Sequence, residues 1–173
     1  MTYDEALKIA TEIHKNQKDK AGGSYIDFMK HVATVLKNEG ESEEVQCIGL
    51  LQDTITDSTG KTEADLLAYG VPADMVKLIA LLTHHKDQAY IDAYSCELMA
   101  GGVPAEEATY AAREKEFLKF IDTLIGNKTA VKVKKVILSL LMEDKYIKRD
   151  ERRELKTKFR IKKYESAIKE LNK

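Results

Sequence analysis

Two prolines, two cysteines and no tryptophan occur in 173 residues, and only nine glycines accompany them. So few chain breakers argue against a glycine- and proline-rich disordered segment and against a β-sandwich with a turn every ten residues or so. Cys47 and Cys96 fit no CxxC or Cys/His metal spacing, which excludes a disulfide scaffold and a zinc finger. Both fall in predicted helices and are expected as buried free thiols. No run approaches the roughly 20 apolar residues that span a bilayer, and no early apolar run follows a basic start. A membrane partner is therefore not expected, and the cytoplasm is the default compartment. Nor is there an excess of either charge: 28 basic residues face 29 acidic ones, for a formal net charge of -1. No global field draws the chain to nucleic acid or to an anionic surface.

What is present is helix-forming. Hydrophobic residues make up 43% and charged residues 33%, enough for one domain spanning 1–173 with a core of its own. Thr2 and Glu5 form a capping-box signal before Ala6, Ile9, Ala10 and Ile13 recur at helical spacing. Gly22-Gly23 interrupts the pattern, and Ile26 to Leu36 resumes it as a second helix ending near Gly40. Ser42 caps a third whose apolar residues, Val45 to Leu51, lie on more than one side, as in a central helix. Thr62 and Asp65 open a short helix that Gly70 stops, and Pro72 suits the first turn of the next. Helices follow around Tyr90 to Met99, from Pro104 to Ile125 and from Ala130 to Met142. A basic stretch from Asp150 to Leu171 carries the stripe Leu155, Phe159, Tyr164, Ile168 and Leu171. The class is all-α, with no convincing strand and no repeat.

Several segments, in order, resemble a known family. His14-Lys-Asn-Gln17-Lys-Asp19-Lys20-Ala21-Gly22-Gly-Ser24-Tyr25-Ile26 looks like H-x-x-Q-x-D-K-A-G-x-P-Y-I, with Ser24 where proline is usual. Leu50-Leu51-Gln52-Asp53-Thr54-Ile55-Thr56-Asp57 resembles L-L-H-D-x-V-E-D, and Leu82-Thr83-His84-His85-Lys86 a later L-T-x-[RK] segment. Val133-Lys134 to Met142-Glu143 resembles V-K-L-A-D-L-x-x-N-M-D, and Lys163-Tyr164 to Ala167 the closing helix. These are motifs of the small HD-domain proteins related to the guanosine tetraphosphate hydrolase domain of bacterial alarmone synthetase/hydrolases. The resemblance covers about residues 5–96 and 127–171 by this alignment of motifs; the stretch at about 99–126 reads as a helical insertion.

The resemblance implies a compact HD-type bundle of about eight or nine helices, and a metal held by two histidines and two aspartates. The matching positions are Phe28, Gln52, Asp53 and Ile137, so three of the four ligand types are replaced. Phenylalanine and isoleucine have no lone pair, and an amide oxygen is a poor substitute for imidazole on a transition metal. The catalytic Glu-Asp pair becomes Thr56-Asp57, leaving Asp57 as the remnant. Deleting one ligand strands buried charge, whereas replacing the set with apolar groups that fill the space is nearly neutral. No metal cofactor is expected, and the implied function is a catalytically degenerate module that binds a nucleotide or another small phosphorylated ligand. Lys20, Tyr25 and Asp57 are the positions expected to line its cleft.

Two rivals stay open at this level. One is a phosphohydrolase that recruits His31, Asp57, His84 or Glu143 around manganese or another divalent metal in a changed geometry; the other is a structural or oligomer-forming domain. Each sharp reading also has a plain counterpart. Lys18 to Gly23 cradles phosphate on backbone N–H groups or is a solvated turn; His84-His85 bind metal or sit at a helix end; Tyr25 and Tyr90 stack on a purine or pack at the rim. The basic run Lys145 to Lys163 reads as a solvated helix face, and Asp53 as a group hydrogen-bonded locally.

Overall fold

A computed structural model describes residues 1–148 and 154–173. Nine α-helices form among them: α1 (Tyr3–His14), α2 (Tyr25–Asn38), α3 (Glu43–Leu51), α4 (Glu63–Ala68), α5 (Ala73–Leu82), α6 (Gln88–Ala100), α7 (Ala105–Asp122), α8 (Lys128–Leu141) and α9 (Leu155–Leu171). A 3-10 turn, Asp144–Tyr146, follows α8. No strand forms among the described residues; the extended pairing is a single bridge between Lys18 and Ser24. The chain is thus all-α, as its periodicities predict. The expected start of the last helix at Asp150 lies outside the described residues.

Side-chain caps explain where the helices begin. Thr2 and Glu5 form the reciprocal box at α1, and Thr62 and Asp65 form it at α4. Ser42 accepts from Val45 N at 3.4 Å, and Asn127 from Ala130 N at 2.9 Å. Pro72 and Pro104 stand one position earlier than the first-turn reading, as N-caps of α5 and α7. Gly70, at φ +83°, turns the chain after α4 in a conformation that L side chains rarely adopt.

α3 is the central helix. It packs on α1, α2, α5 and α8, and Cys47, Ile48, Leu50 and Leu51 are all buried within it. Gly49 lets α2 approach: a Cβ there would meet Leu36 Cδ1 at 2.7 Å and Val32 Cγ1 at 3.2 Å. α6 and α7 form an antiparallel pair outside this core, and α7 also packs along α9. The segment at 99–126 is helical, and its inner end joins the main core through Phe117, Ile121 and Leu124. The cysteine expectation needs one correction. Both thiols are free, but only Cys47 is buried; Cys96 is exposed on α6, which among the described residues packs chiefly on α7.

Candidate functional site

Of the four positions that the resemblance singles out, Phe28 lies on α2 and Ile137 on α8, while Gln52 caps the end of α3 and Asp53 follows it; the three helices all pack against one another, α2 on α3, α2 on α8 and α3 on α8. Phe28 (2% exposed) and Ile137 (4%) belong to the common hydrophobic core. Phe28 meets the Tyr146 ring edge-on at 4.9 Å and lies 6.0 Å from the Tyr25 ring. Gln52, fully buried at the end of α3, directs its Nε2 at Met29 Sδ 3.7 Å away, and its Oε1 has no partner. A divalent metal would need donors here, and aromatic and aliphatic side chains supply none. The residues do not fit the group. Among the described residues, no three His, Cys, Asp or Glu side chains are placed to hold a metal ion.

Asp53 has found other company. Tyr25, at the first residue of α2, donates its hydroxyl to Asp53 Oδ2. Burial, with the Asp53 charge behind it, drives the Tyr25 phenol far above its ordinary value, so it stays a donor. Lys134 projects from α8 into the interior and donates to the Leu82 carbonyl at 3.0 Å. Burial pushes its pKa down, and the Asp53 carboxylate acts against that shift. Tyr164 of α9, also buried and raised in pKa by desolvation, accepts from Lys20 Nζ at 3.2 Å. Lys20 is an exposed residue overall, but its ammonium lies against the Tyr164 hydroxyl and ring, and desolvation and then Arg160 push its pKa down to about 8.

Lys20 is held there by the loop before α2. Asp19 Oδ1 accepts from the backbone N–H groups of Ala21 (2.9 Å) and Gly23 (2.8 Å), and Gly22 takes φ +95°. The Asp19 carboxylate thus consumes the N–H groups that a phosphate cradle on this loop would use. Of the three expected ligand positions, Lys20 and Tyr25 face the same interior cluster, Lys20 through Tyr164 and Tyr25 through Asp53. Asp57 stands apart with its side chain 91% exposed, 3.8 Å from His85 Nδ1. It lines a separate hollow with Thr56, Lys61 and His85.

The residues proposed for a rearranged metal site are also dispersed. His31 Nδ1 pairs with the Tyr146 hydroxyl at 2.8 Å. His84 is half-buried, not a surface residue: its Nε2 lies 2.9 and 3.1 Å from the two Glu116 oxygens, and its ring stacks on Phe120 at 4.8 Å. Glu116 also accepts from Asp87 N at 3.1 Å. His14 is wholly buried at the end of α1, with Nδ1 2.8 Å from Gln17 Oε1 and Nε2 without a partner.

Sequence reasoning missed Lys134 and Glu116 as interior polar residues. A signal was available for each. Lys134 falls within the apolar stripe Ala130, Val133, Ile137, Leu138, and Glu116 continues Ala108 and Ala112 at spacings of four, so helical geometry turns both inward. Compared with known proteins, the chain matches no family model and no curated sequence.

Proposed function

We propose that the chain is a catalytically silent relative of the HD-domain alarmone hydrolases, a regulatory module that binds a nucleotide or another small phosphorylated ligand without metal. The observation that carries this reading is the filling of the metal positions. Phe28 packs edge-on against Tyr146 where a ligand would be needed, and Asp53, the one retained ligand type, is engaged by Tyr25. Hydrolysis of this kind depends on an ion that lowers the pKa of bound water and stabilises charge on the phosphoryl oxygens. Neither effect is within reach of phenyl and sec-butyl groups. What supports ligand binding beside this filled centre is the ammonium of Lys20, which rests on the Tyr164 hydroxyl, a neutral partner that leaves its charge for an anion, whereas Tyr25 and Lys134 are engaged by Asp53 and the Leu82 carbonyl.

Purified protein supplied with manganese is expected to release no pyrophosphate from guanosine tetraphosphate above background. Metal analysis of untreated protein is expected to find no stoichiometric manganese, iron or zinc. Metal-dependent turnover that Asp53→Ala abolishes would replace this reading with an enzyme of altered ligand set. A nucleotide that binds the folded chain raises its melting temperature by mass action, and a set of guanine and adenine nucleotides giving no shift would favour a purely structural domain.

A further inference from the structure

A second feature lies between α7 and α9. A hollow of about 240 Å³ there is lined by Arg113 and Tyr110 from α7, by Lys156, Phe159, Arg160 and Lys163 from α9, and by Lys20 from the loop before α2. Among the described residues, five of its seven lining side chains are cationic and none is a carboxylate; of the five, Lys156 is ion-paired with Glu154 at 3.1 Å, which leaves Lys20, Arg113, Arg160 and Lys163 to meet a ligand. In a chain whose opposite charges are nearly equal in number, that segregation needs a physical reason. Acids of α7 have other partners: Glu114 accepts from Ser166 Oγ at 2.7 Å with Lys162 Nζ 3.6 Å away, Glu116 is held by His84 and the Asp87 N–H, and Glu106 accepts from the Tyr110 hydroxyl at 3.3 Å.

Aromatic rings hold three of the cations in place. Lys163 Nζ lies 4.9 Å from the centre of the Phe117 ring and 5.3 Å from that of Tyr164, Arg113 Cζ is 5.8 Å over Tyr110, and Lys20 Nζ is 5.9 Å over Tyr164. A π face orients an ammonium or guanidinium without cancelling its charge. The like charges consequently repel: Arg160 depresses Lys20, and Lys20 and Arg113 depress Lys163, each adding to the effect of burial, with Tyr164 and Glu116 acting against it on Lys163. An anion relieves this repulsion, and one with adjacent charged groups relieves it at several cations together. The volume is below the roughly 300–1,000 Å³ of sites for drug-sized ligands, so it suits a compact polyanion and not a whole nucleotide.

We propose that the hollow between α7 and α9 binds a pyrophosphate-type group, either free or as the tail of a larger molecule. This goes beyond the reading above, shares Lys20 and its partner Tyr164 with it, and stands whether or not the Asp53 region is catalytic. The test is titration calorimetry of the full chain with inorganic pyrophosphate at low ionic strength. Saturable 1:1 binding is expected, weakened roughly tenfold or more in both Arg160→Gln and Lys163→Gln, since each loses a charge-assisted hydrogen bond. Lys8→Gln, which removes the same charge on α1, is expected to leave affinity unchanged. A nucleoside diphosphate that binds more tightly with the same dependence on Arg160 identifies the group as a tail; equal affinity identifies the free anion. Absence of saturable binding would overturn the proposal. So would insensitivity to both substitutions in variants whose circular dichroism matches the parent, equal weakening by Lys8→Gln, or a preference for duplex RNA that pyrophosphate does not compete away.

Discussion

An ammonium enclosed by protein loses its hydration, and at Lys134 the Leu82 carbonyl and the charge of Asp53 oppose that loss. The same imbalance, from burial and like charges, lowers the pKa of Lys20 to about 8 and lowers that of Lys163. A lysine whose folded pKa is depressed destabilises the fold while it is charged. Above the folded pKa the unfolded chain binds more protons than the native one until the ordinary lysine value of 10.5 is passed, so stability rises with pH in that window. Groups with raised values act the other way: Cys47 from about pH 9 upward, and Tyr25, Tyr164 and Tyr146, the last pushed up to about 12 by burial, from about pH 10. Urea midpoints are therefore expected to rise between about pH 8 and 9, where Lys20 loses its proton in the folded chain, and to fall beyond 10, and Lys20→Met to flatten the rise. A steady decline from pH 7 to 10 would contradict this balance. At Phe28 the term is packing: Phe28→Ala is expected to cost about 3–5 kcal/mol by leaving a cavity beneath Tyr146, read from denaturant unfolding.

Helices meet at fixed distances set by the residues between them, and the α2–α3 pair is set by Gly49. Gly49→Ala places a methyl 2.7 Å from Leu36 Cδ1 and 3.2 Å from Val32 Cγ1, so these fully buried side chains must leave their packed positions or the helices part, and a loss of about 1–3 kcal/mol is expected in spite of alanine's better helix propensity. An exposed helix glycine replaced in this way would stabilise, so the sign of the change checks the close approach. Asn127→Ala is expected to cost about 1 kcal/mol by freeing the N–H of Ala130 at the start of α8. Features of this local kind could be read directly from the chain. The caps at Thr2, Ser42 and Thr62 mark helix starts because the partner lies three residues on, and Gly70 marks a stop because its conformation is its own. The start of α6 escaped because its cap, Asp87, precedes Gln88 and Ala89, which carry no apolar period. Interior polar pairs were less legible. His84 meets Glu116 and Lys20 meets Tyr164 only once α7 and α9 have packed, and helical period reports a face, not the residue opposite it. Asp57 was grouped with Lys20 and Tyr25 by motif order, but the turn after α3 carries it into solvent beside His85.

Over the whole molecule, the two free thiols sit at opposite depths and so report on different parts of the bundle. Cys96 is exposed on α6, in the helix pair outside the main core, whereas Cys47 lies on α3 with four helices around it. Burial raises the Cys47 thiol, and since the thiolate is the nucleophile, native Cys47 is doubly protected, by access and by protonation. A colorimetric disulfide reagent at neutral pH is expected to modify one thiol per chain rapidly and the second slowly, with Cys96→Ser removing only the rapid phase. The slow phase can arise in two ways. Cys47 Sγ lies 4.0 Å from the Met1 carbonyl, so fraying of the N-terminal turn would expose it through a small opening. Separation of α1, α2, α5 and α8 from α3 exposes far more surface, and the dependence of an opening free energy on denaturant scales with the surface exposed. Because α3 is shared by those four packing partners, labelling of Cys47 is expected to follow global unfolding, with a urea dependence equal to the equilibrium m-value. A shallow dependence would instead assign Cys47 to a local opening of α1, and rapid labelling of both thiols would show that the core around α3 is not closed.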